Sequence, residues 1–513
     1  MSNSPSTSTN TSTPAYEQLC AELREIGILG SIGSLLGWDQ QAMLPDAGNS
    51  YRAGQMELMA TLVHERSTSK KLGDLIAAAE AEAKGLDRHS DAAAVARDAR
   101  RQFDRETKLP ASLVAEMAKT EVLGHHAWAE ARKKSSYPDF KPWLAKWLDL
   151  KKQEVNCVGY KDHPYDALLD HYEPYETAAG VTTVFESLRD ELVTLVQKIA
   201  GASRKAPIEI MERSYPVKAQ ESFGRIAAEA IGFDFNAGRL DVSVHPFCSG
   251  QGQGDTRMTT RYHEHHFNDA FFGVLHETGH ALYEQGLQKE KYLGTALGDS
   301  ISLGIHESQS RMWENLVGRS RSFWKFFMPK ARDAFPETLK GVTDDQWYAA
   351  ANAVQPSFIR VEADEMTYNL HILIRFEMET AMISGQLGVD DVPAAWNEKY
   401  KKYLGITPPN DAKGCLQDVH WSSGLMGYFP TYTLGNLYAA QFFEKARKDL
   451  GDLDALFAAG NFKPLLGWLR ENIHVHGRRY SARELVKRVT GADLSSQPLL
   501  KYLKGKASEV YGV

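Results

Sequence analysis

Apolar residues recur at three-to-four spacing along almost the whole chain, which commits most of it to amphipathic helix. Residues 51–66 (YRAGQMELMATLVHER) place Met56, Met59, Leu62 and Val63 on one helical face. Residues 71–100 are rich in Ala, Leu, Glu, Lys and Arg, all good helix formers. The stretch 109–134 opens with Pro110 near a helix start. Stretches 176–203, 219–232, 360–384 and 437–449 read the same way. The exception is one window. RLDVSVHPF (239–247) alternates, and RMTTRYHEHH (257–266) is rich in Thr and aromatics. The two are expected to pair as a hairpin around GQGQGD (250–255). That Gly-rich segment is not a phosphate cradle, because no helix start or Lys-Ser/Thr follows it. The expected fold is mainly α: one large helical unit over 15–513 with a small hairpin or sheet. Its N-terminal third is a candidate helical lid.

A chain of 513 residues can bury a large core without a disulfide or metal staple, so a metal here is read as catalytic. Lys plus Arg number 59 against 66 Asp plus Glu, a net charge of −7. That balance offers no basic footprint for nucleic acid and no polybasic membrane patch. No apolar run approaches the roughly 18 residues of a membrane span. Cys20, Cys157, Cys248 and Cys415 are scattered without a C-x-x-C, which fits a reduced compartment. The opening MSNSPSTSTNTSTP (1–14) has no apolar stretch and no Arg. It is expected to be a short disordered tail rather than a targeting signal, with the cytoplasm as location.

FGVLHETGHALYE (272–284) carries the chemistry. His276 and His280 are one helical turn apart, so both imidazoles leave the same side of the helix and can share one tetrahedral ion. Glu277 points about 100° round the helix, within reach of a metal-bound water. Zinc suits neutral imidazoles and lowers the pKa of its water, and a carboxylate beside that water can take its proton. Asn268 and Asp269 are good helix-start residues and Gly286 a plausible stop, with Phe271, Leu275 and Leu282 as the core-facing stripe. The plain alternative is a helix carrying two satisfied histidines.

A catalytic zinc needs a third protein ligand. The three-histidine pattern fails, because Tyr283 stands where it requires Gly. A Glu from the following helix is the other solution, and SISLGIHESQSRMWENLVG (300–318) supplies two. Glu307, beside His306 and one turn before Arg311, is preferred, and Glu314 is its rival.

These residues resemble a known family, the M32 metallocarboxypeptidases related to carboxypeptidase Taq. The resemblance rests on HPF (245–247), DTRMT (255–259), HETGH (276–280) with GIHESQSR (304–311), IRVEAD (359–364) and GCLQDVHW (414–421). LLGWDQQAMLP (35–45) also matches, apart from Gln41 and Ala42. The resemblance implies a helical, saddle-shaped fold with a deep groove, usually as a homodimer. It implies removal of single residues from peptide C-termini with broad preference, using one zinc, or cobalt, per chain. Carried over, His276, His280 and Glu307 are the metal ligands and Glu277 the general base.

A carboxypeptidase needs a cation for the terminal carboxylate, and Arg offers a planar two-point clamp. Arg360 is the first choice and Arg257 the second. The plain alternative for each is an internal ion pair, with Glu362 and Asp364 beside Arg360 and Asp255 two residues from Arg257. The oxyanion needs donors. His420, Tyr428 and Tyr432 are candidates, as neutral tyrosines or a protonated histidine. Tyr428 is slightly preferred over Tyr432, which is kept as a substrate contact with His245. The 257–262 strand is a candidate to pair with the substrate backbone. A zinc oligopeptidase, a dipeptidyl carboxypeptidase and a non-catalytic peptide-binding zinc protein are the rival readings.

Overall fold

A computed structural model describes residues 14–513, in which twenty-one α-helices accompany three short strands. The expected tail lies outside the described residues except for Pro14, which opens the first helix, Pro14–Ala42. Among the described residues, no helix is long and apolar enough to cross a membrane.

One large buried cluster runs from Trp128 to Tyr511 and contains the elements that carry the candidate site. The first helices build a smaller core of their own. Leu19, Leu72, Ile76 and Val95 pack there with Tyr292 and Leu297 from the larger part. The helix Asp91–Thr107 is tied to that part by polar contacts along its length. Arg97 donates to the Arg479 carbonyl at 3.0 Å, and Arg101 and Arg105 pair with Asp170 and Glu154 at 2.8 and 3.3 Å.

The strands form one sheet in the order β1 (Gly238–Val242), β3 (Asp255–Thr260), β2 (Cys248–Gly252). This corrects the expected hairpin. β1 and β3 do neighbour each other, but in parallel, with Gly238 opposite Thr256 and Val242 opposite Thr260. The antiparallel partner of β3 is Cys248–Gly252, whose last three residues, 250–252, fall in the segment expected to be the turn. The chain reverses at Gly252 and Gly254, whose φ of +152° and +75° suit glycine. Strand structure ends at Thr260, and since β3 is central its backbone is paired on both sides. It therefore has no free edge for a substrate backbone.

Three helices converge on the site: Phe267–Gly286, Leu303–Arg311 and Pro430–Leu450. Two glycines let their backbones approach. A Cβ on Gly279 would stand 2.5 Å from Ser310 Cα and 2.6 Å from the Gln309 carbonyl oxygen. One on Gly435 would stand 2.7 Å from Glu307 Cβ. Phe271, Leu275 and Leu282 are buried as expected, and the helix Phe267–Gly286 ends at the expected glycine. Leu303–Arg311 starts where Ser302 Oγ accepts from the Ile305 amide at 3.1 Å. It continues into a π-helical turn, Met312–Val317.

Candidate active site and metal centre

His276 and His280 face Glu307. The Glu307 Oε2 lies 3.6 Å from His276 Nε2 and 3.4 Å from His280 Nε2. One ligand atom from each of the three residues falls within 4.8 Å of the others. Two imidazoles and a carboxylate turned towards one point are a donor set that suits a tetrahedral divalent ion with an open position. The residues therefore fit the metal expected from the sequence.

Both histidines are held from behind, on Nδ1. His276 Nδ1 lies 2.9 Å from Glu314 Oε2. Glu314 is thus placed as the carboxylate that orients His276, on the far side of the ring from Glu307. Arg311 joins the two carboxylates, donating from Nε to Glu307 Oε1 at 2.7 Å and from Nη1 to Glu314 Oε2 at 3.1 Å. Burial would raise the pKa of both glutamates, but Arg311 and His276 hold them below the usual range. His280 Nδ1 lies 2.5 Å from His306 Nδ1, whose Nε2 lies 2.9 Å from Glu284 Oε1. Lys289 closes the chain by an ion pair with Glu284. Neither Glu284 nor Lys289 was singled out from sequence. Glu284 stands four residues after His280, on the same face, and that spacing was the available signal.

Glu277 is 6 % exposed, and its Oε2 has no hydrogen-bond partner among the described residues. Burial, opposed by His276 and reinforced by Glu307, pushes its pKa up to about 7. An unpartnered buried carboxylate beside a metal-ligand cluster is poised to handle a proton.

Arg360 is 5 % exposed and sits among the rings of Tyr368, Phe429 and Tyr432. Its Nε donates to Asp418 Oδ1 at 2.9 Å and its Nη1 to Tyr368 Oη at 3.0 Å. Its Nη2 makes no hydrogen bond among the described residues. The ion-pair partner is Asp418, shared with Arg375 at 2.7 Å, rather than the sequence neighbours Glu362 and Asp364.

Arg257 is engaged elsewhere. Its Nε and Nη2 hold Asp255 at 2.9 and 2.8 Å, and its guanidinium lies 4.2 Å from the Trp38 ring centroid. Arg239 pairs with Arg257 across the β1–β3 ladder and lies 5.0 Å from the same ring. The internal ion pair offered as its plain reading is the one seen.

His420 is buried with Nδ1 unpartnered, and its Nε2 lies 3.4 Å from Tyr432 Oη. Burial and then Arg360 pull its pKa down to about 3. Both effects favour the neutral imidazole, which can donate from one N–H. Tyr428 packs 5.4 Å from both His420 and Tyr432, and the Glu307 charge reaches both phenols. Burial raises both phenols, so they stay protonated donors. His245 is an exposed residue on the β1–β2 connection. Partial burial of its ring, then Arg261 and Arg360, lower its pKa.

The family profile described as Carboxypeptidase Taq (M32) metallopeptidase matches residues 18–507. The chain is 46 % identical over 507 residues to a Thermus thermophilus protein named thermostable carboxypeptidase 1, covering 97 % of this chain and 99 % of that one. It is 38 % identical over 489 residues to Bacillus subtilis carboxypeptidase 1, covering 95 % and 97 %. The crystal structure of an M32 carboxypeptidase from Deinococcus radiodurans R1 superposes with a TM-score of 0.93 at 42 % identity, over 98 % of this chain and 100 % of the other. The chain belongs to the carboxypeptidase Taq (M32) metallopeptidase family and is a metallocarboxypeptidase.

Proposed function

We propose that this enzyme binds one zinc per chain and removes single amino acids from free peptide C-termini with broad preference. The observation that carries the reading is the convergence of His276 Nε2, His280 Nε2 and Glu307 Oε2 beside the unpartnered Glu277 oxygen. These three side chains would hold the ion, which when bound supplies Lewis acidity and lowers the pKa of water. Cobalt suits the same donors.

The chain's own groups do the rest. Glu277 takes the proton of the attacking water and returns it to the leaving amine, a role its buried, unpartnered Oε2 favours. Arg360 Nη2 receives the terminal carboxylate, while Asp418 and Tyr368 keep the guanidinium in place. Tyr428 and neutral His420 donate to the developing oxyanion. Tyr432 and His245 line the substrate side, while Arg257 stays in its pair with Asp255 against Trp38.

A homodimer is part of the proposal. Exposed apolar side chains support an assembly that covers them: Ile28, Ile32 and Leu35 on the first helix, Tyr51, Leu58 and Leu62 on Asn49–Ser67.

The test follows products by mass spectrometry from a ten-residue peptide and its C-terminally amidated twin, with chelator controls. A ladder shortened one residue at a time, lost on amidation, is expected. Dipeptide or internal cuts would move the enzyme to the oligopeptidase reading. Absence of metal-dependent cleavage would overturn the mechanism.

A further inference from the structure

Glu379 is a fully buried carboxylate on the helix Thr367–Ile383, outside the metal cluster. Among the described residues it has no ion pair. It accepts three hydrogen bonds instead. Trp421 Nε1 donates to Oε1 at 2.8 Å, while the Gly427 amide and Tyr165 Oη donate to Oε2 at 3.0 and 2.7 Å. Burial pushes its pKa up to about 7 against those three donors.

Two of the donors bracket one segment. Trp421 follows His420, and Gly427 precedes Tyr428. The carboxylate therefore clamps both ends of the loop that presents the two donors assigned to the oxyanion. Gly427 has φ +92°, and a Cβ there would stand 2.7 Å from the Leu168 carbonyl, so the loop is seated against the chain that carries Tyr165. Tyr172 continues this support, its ring 5.0 Å from that of Tyr428 in an edge contact.

We infer that Glu379 is a positioning residue, whose carboxylate fixes the His420–Tyr428 loop so that both side chains face the substrate. The inference rests on the reading of His420 and Tyr428 given above. The position needs an acceptor on both oxygens, Oε1 for Trp421 and Oε2 for Gly427. Trp421 and Gly427 are N–H donors that cannot reverse, whereas Tyr165 can turn its hydroxyl to accept. An amide at 379 must aim its own N–H₂ at one of them.

The test is Glu379→Gln in the full chain. Peptide hydrolysis is expected to lose kcat by about 10- to 100-fold, since small misplacement of a catalytic group costs that much, with KM nearly unchanged. Zinc affinity is expected to stay at the wild-type value. Hydrogen–deuterium exchange should rise in residues 420–428 and not in 276–311. Adding Trp421→Phe removes the donor facing Oε1, and the double variant should regain part of the lost kcat. Wild-type kcat and protection in Glu379→Gln would overturn the inference. So would protection lost throughout the chain, or no recovery in the double variant. His420→Ala and Tyr428→Phe run alongside. If both keep full kcat, the oxyanion reading fails; if they lose it while Glu379→Gln does not, only the present inference fails.

Discussion

His280 Nδ1 lies 2.5 Å from His306 Nδ1. Two facing imidazole nitrogens can bond only if one carries a proton and the other does not. A His280 that gives its Nε2 lone pair to a metal carries its proton on Nδ1, so His306 Nδ1 must accept. The His306 proton then sits on Nε2 and is donated to Glu284, which Lys289 neutralises. One tautomer is thus written through four side chains, where a single carboxylate performs the same task for His276.

From that geometry, His306→Leu is expected to weaken zinc binding by about 10- to 100-fold, the usual cost of losing an orienting partner. His306→Gln keeps an acceptor for His280 and is expected to lose less. Chelator-competition titration reads both. Equal affinity in wild type and His306→Leu would sink the orienting role.

Glu277→Gln keeps the shape of the side chain and removes the base. It is expected to lower kcat by about 10²- to 10⁴-fold. Zinc content, measured by elemental analysis after dialysis, is expected to be unchanged, because Glu277 is not one of the three clustered ligands. A variant that retained most of its turnover would remove Glu277 from the chemistry.

The two arginines separate by substitution. Arg360→Lys gives up the fork that spans Asp418 and Tyr368 and that is proposed to receive the substrate carboxylate. It is expected to raise KM by about 10- to 100-fold, the worth of a charged hydrogen bond of 1.5–3 kcal/mol. Arg257→Lys alters the Asp255 pair and the contact with Trp38, and is expected to leave KM for short peptides near the wild-type value. The opposite ranking in steady-state kinetics would exchange their roles.

Glu173 supplies a pH dependence outside the metal cluster. It is 1 % exposed and accepts from the Gly304 amide at the start of the helix bearing Glu307. Burial lifts its pKa from 4.5 to about 8. Between those values the folded chain keeps a proton that the unfolded chain has released. Its contribution is therefore fully present below about pH 4.5 and lost as pH rises through about 8. Glu173→Gln stays neutral, so it should gain on wild type across that window by at most about 1.4 kcal/mol per pH unit. Denaturant melts between pH 5 and 9 check the slope. A constant gap between the two proteins would show that Glu173 does not titrate in this range.

Local features of this fold were legible and long-range pairing was not. The stripe Phe271, Leu275, Leu282 and the stop at Gly286 follow from helical spacing, because a helix closes its hydrogen bonds within itself. The β1–β3 ladder joins residues 18 apart in parallel, as Gly238 with Thr256, and no local pattern encodes that partner. Cys248–Gly252 hid its strand in glycines that were read as turn. The candidate ligands His276 and His280 are visible as a one-turn pair. Glu307 and Glu314 could not be separated by spacing, since both lie on the stripe of Arg311. Only the packing of two helices decides which of them meets Nε2 and which meets Nδ1. Asp418 as partner of Arg360 is likewise a tertiary fact, 58 residues away in sequence.

That packing gives a last prediction, at Gly279 inside the HETGH motif. A Cβ there would meet the backbone of Gln309 and Ser310, at 2.6 Å from the Gln309 carbonyl oxygen, and backbone cannot swing aside as a side-chain tip can. Gly279→Ala must therefore push the helix Leu303–Arg311 away from Phe267–Gly286. The helix that moves is the one that carries Glu307, so the 3.4 and 3.6 Å approaches to His280 and His276 open with it. The variant is expected to lose about 1–3 kcal/mol of stability from overpacking. Its zinc affinity is expected to fall although no ligand has been changed. Gly273→Ala, on the same helix, is the control, because its Cβ would find only Thr260 Oγ1 of β3 at 3.9 Å. If Gly279→Ala and Gly273→Ala bound zinc equally well, close helix approach would not be what sets the third ligand.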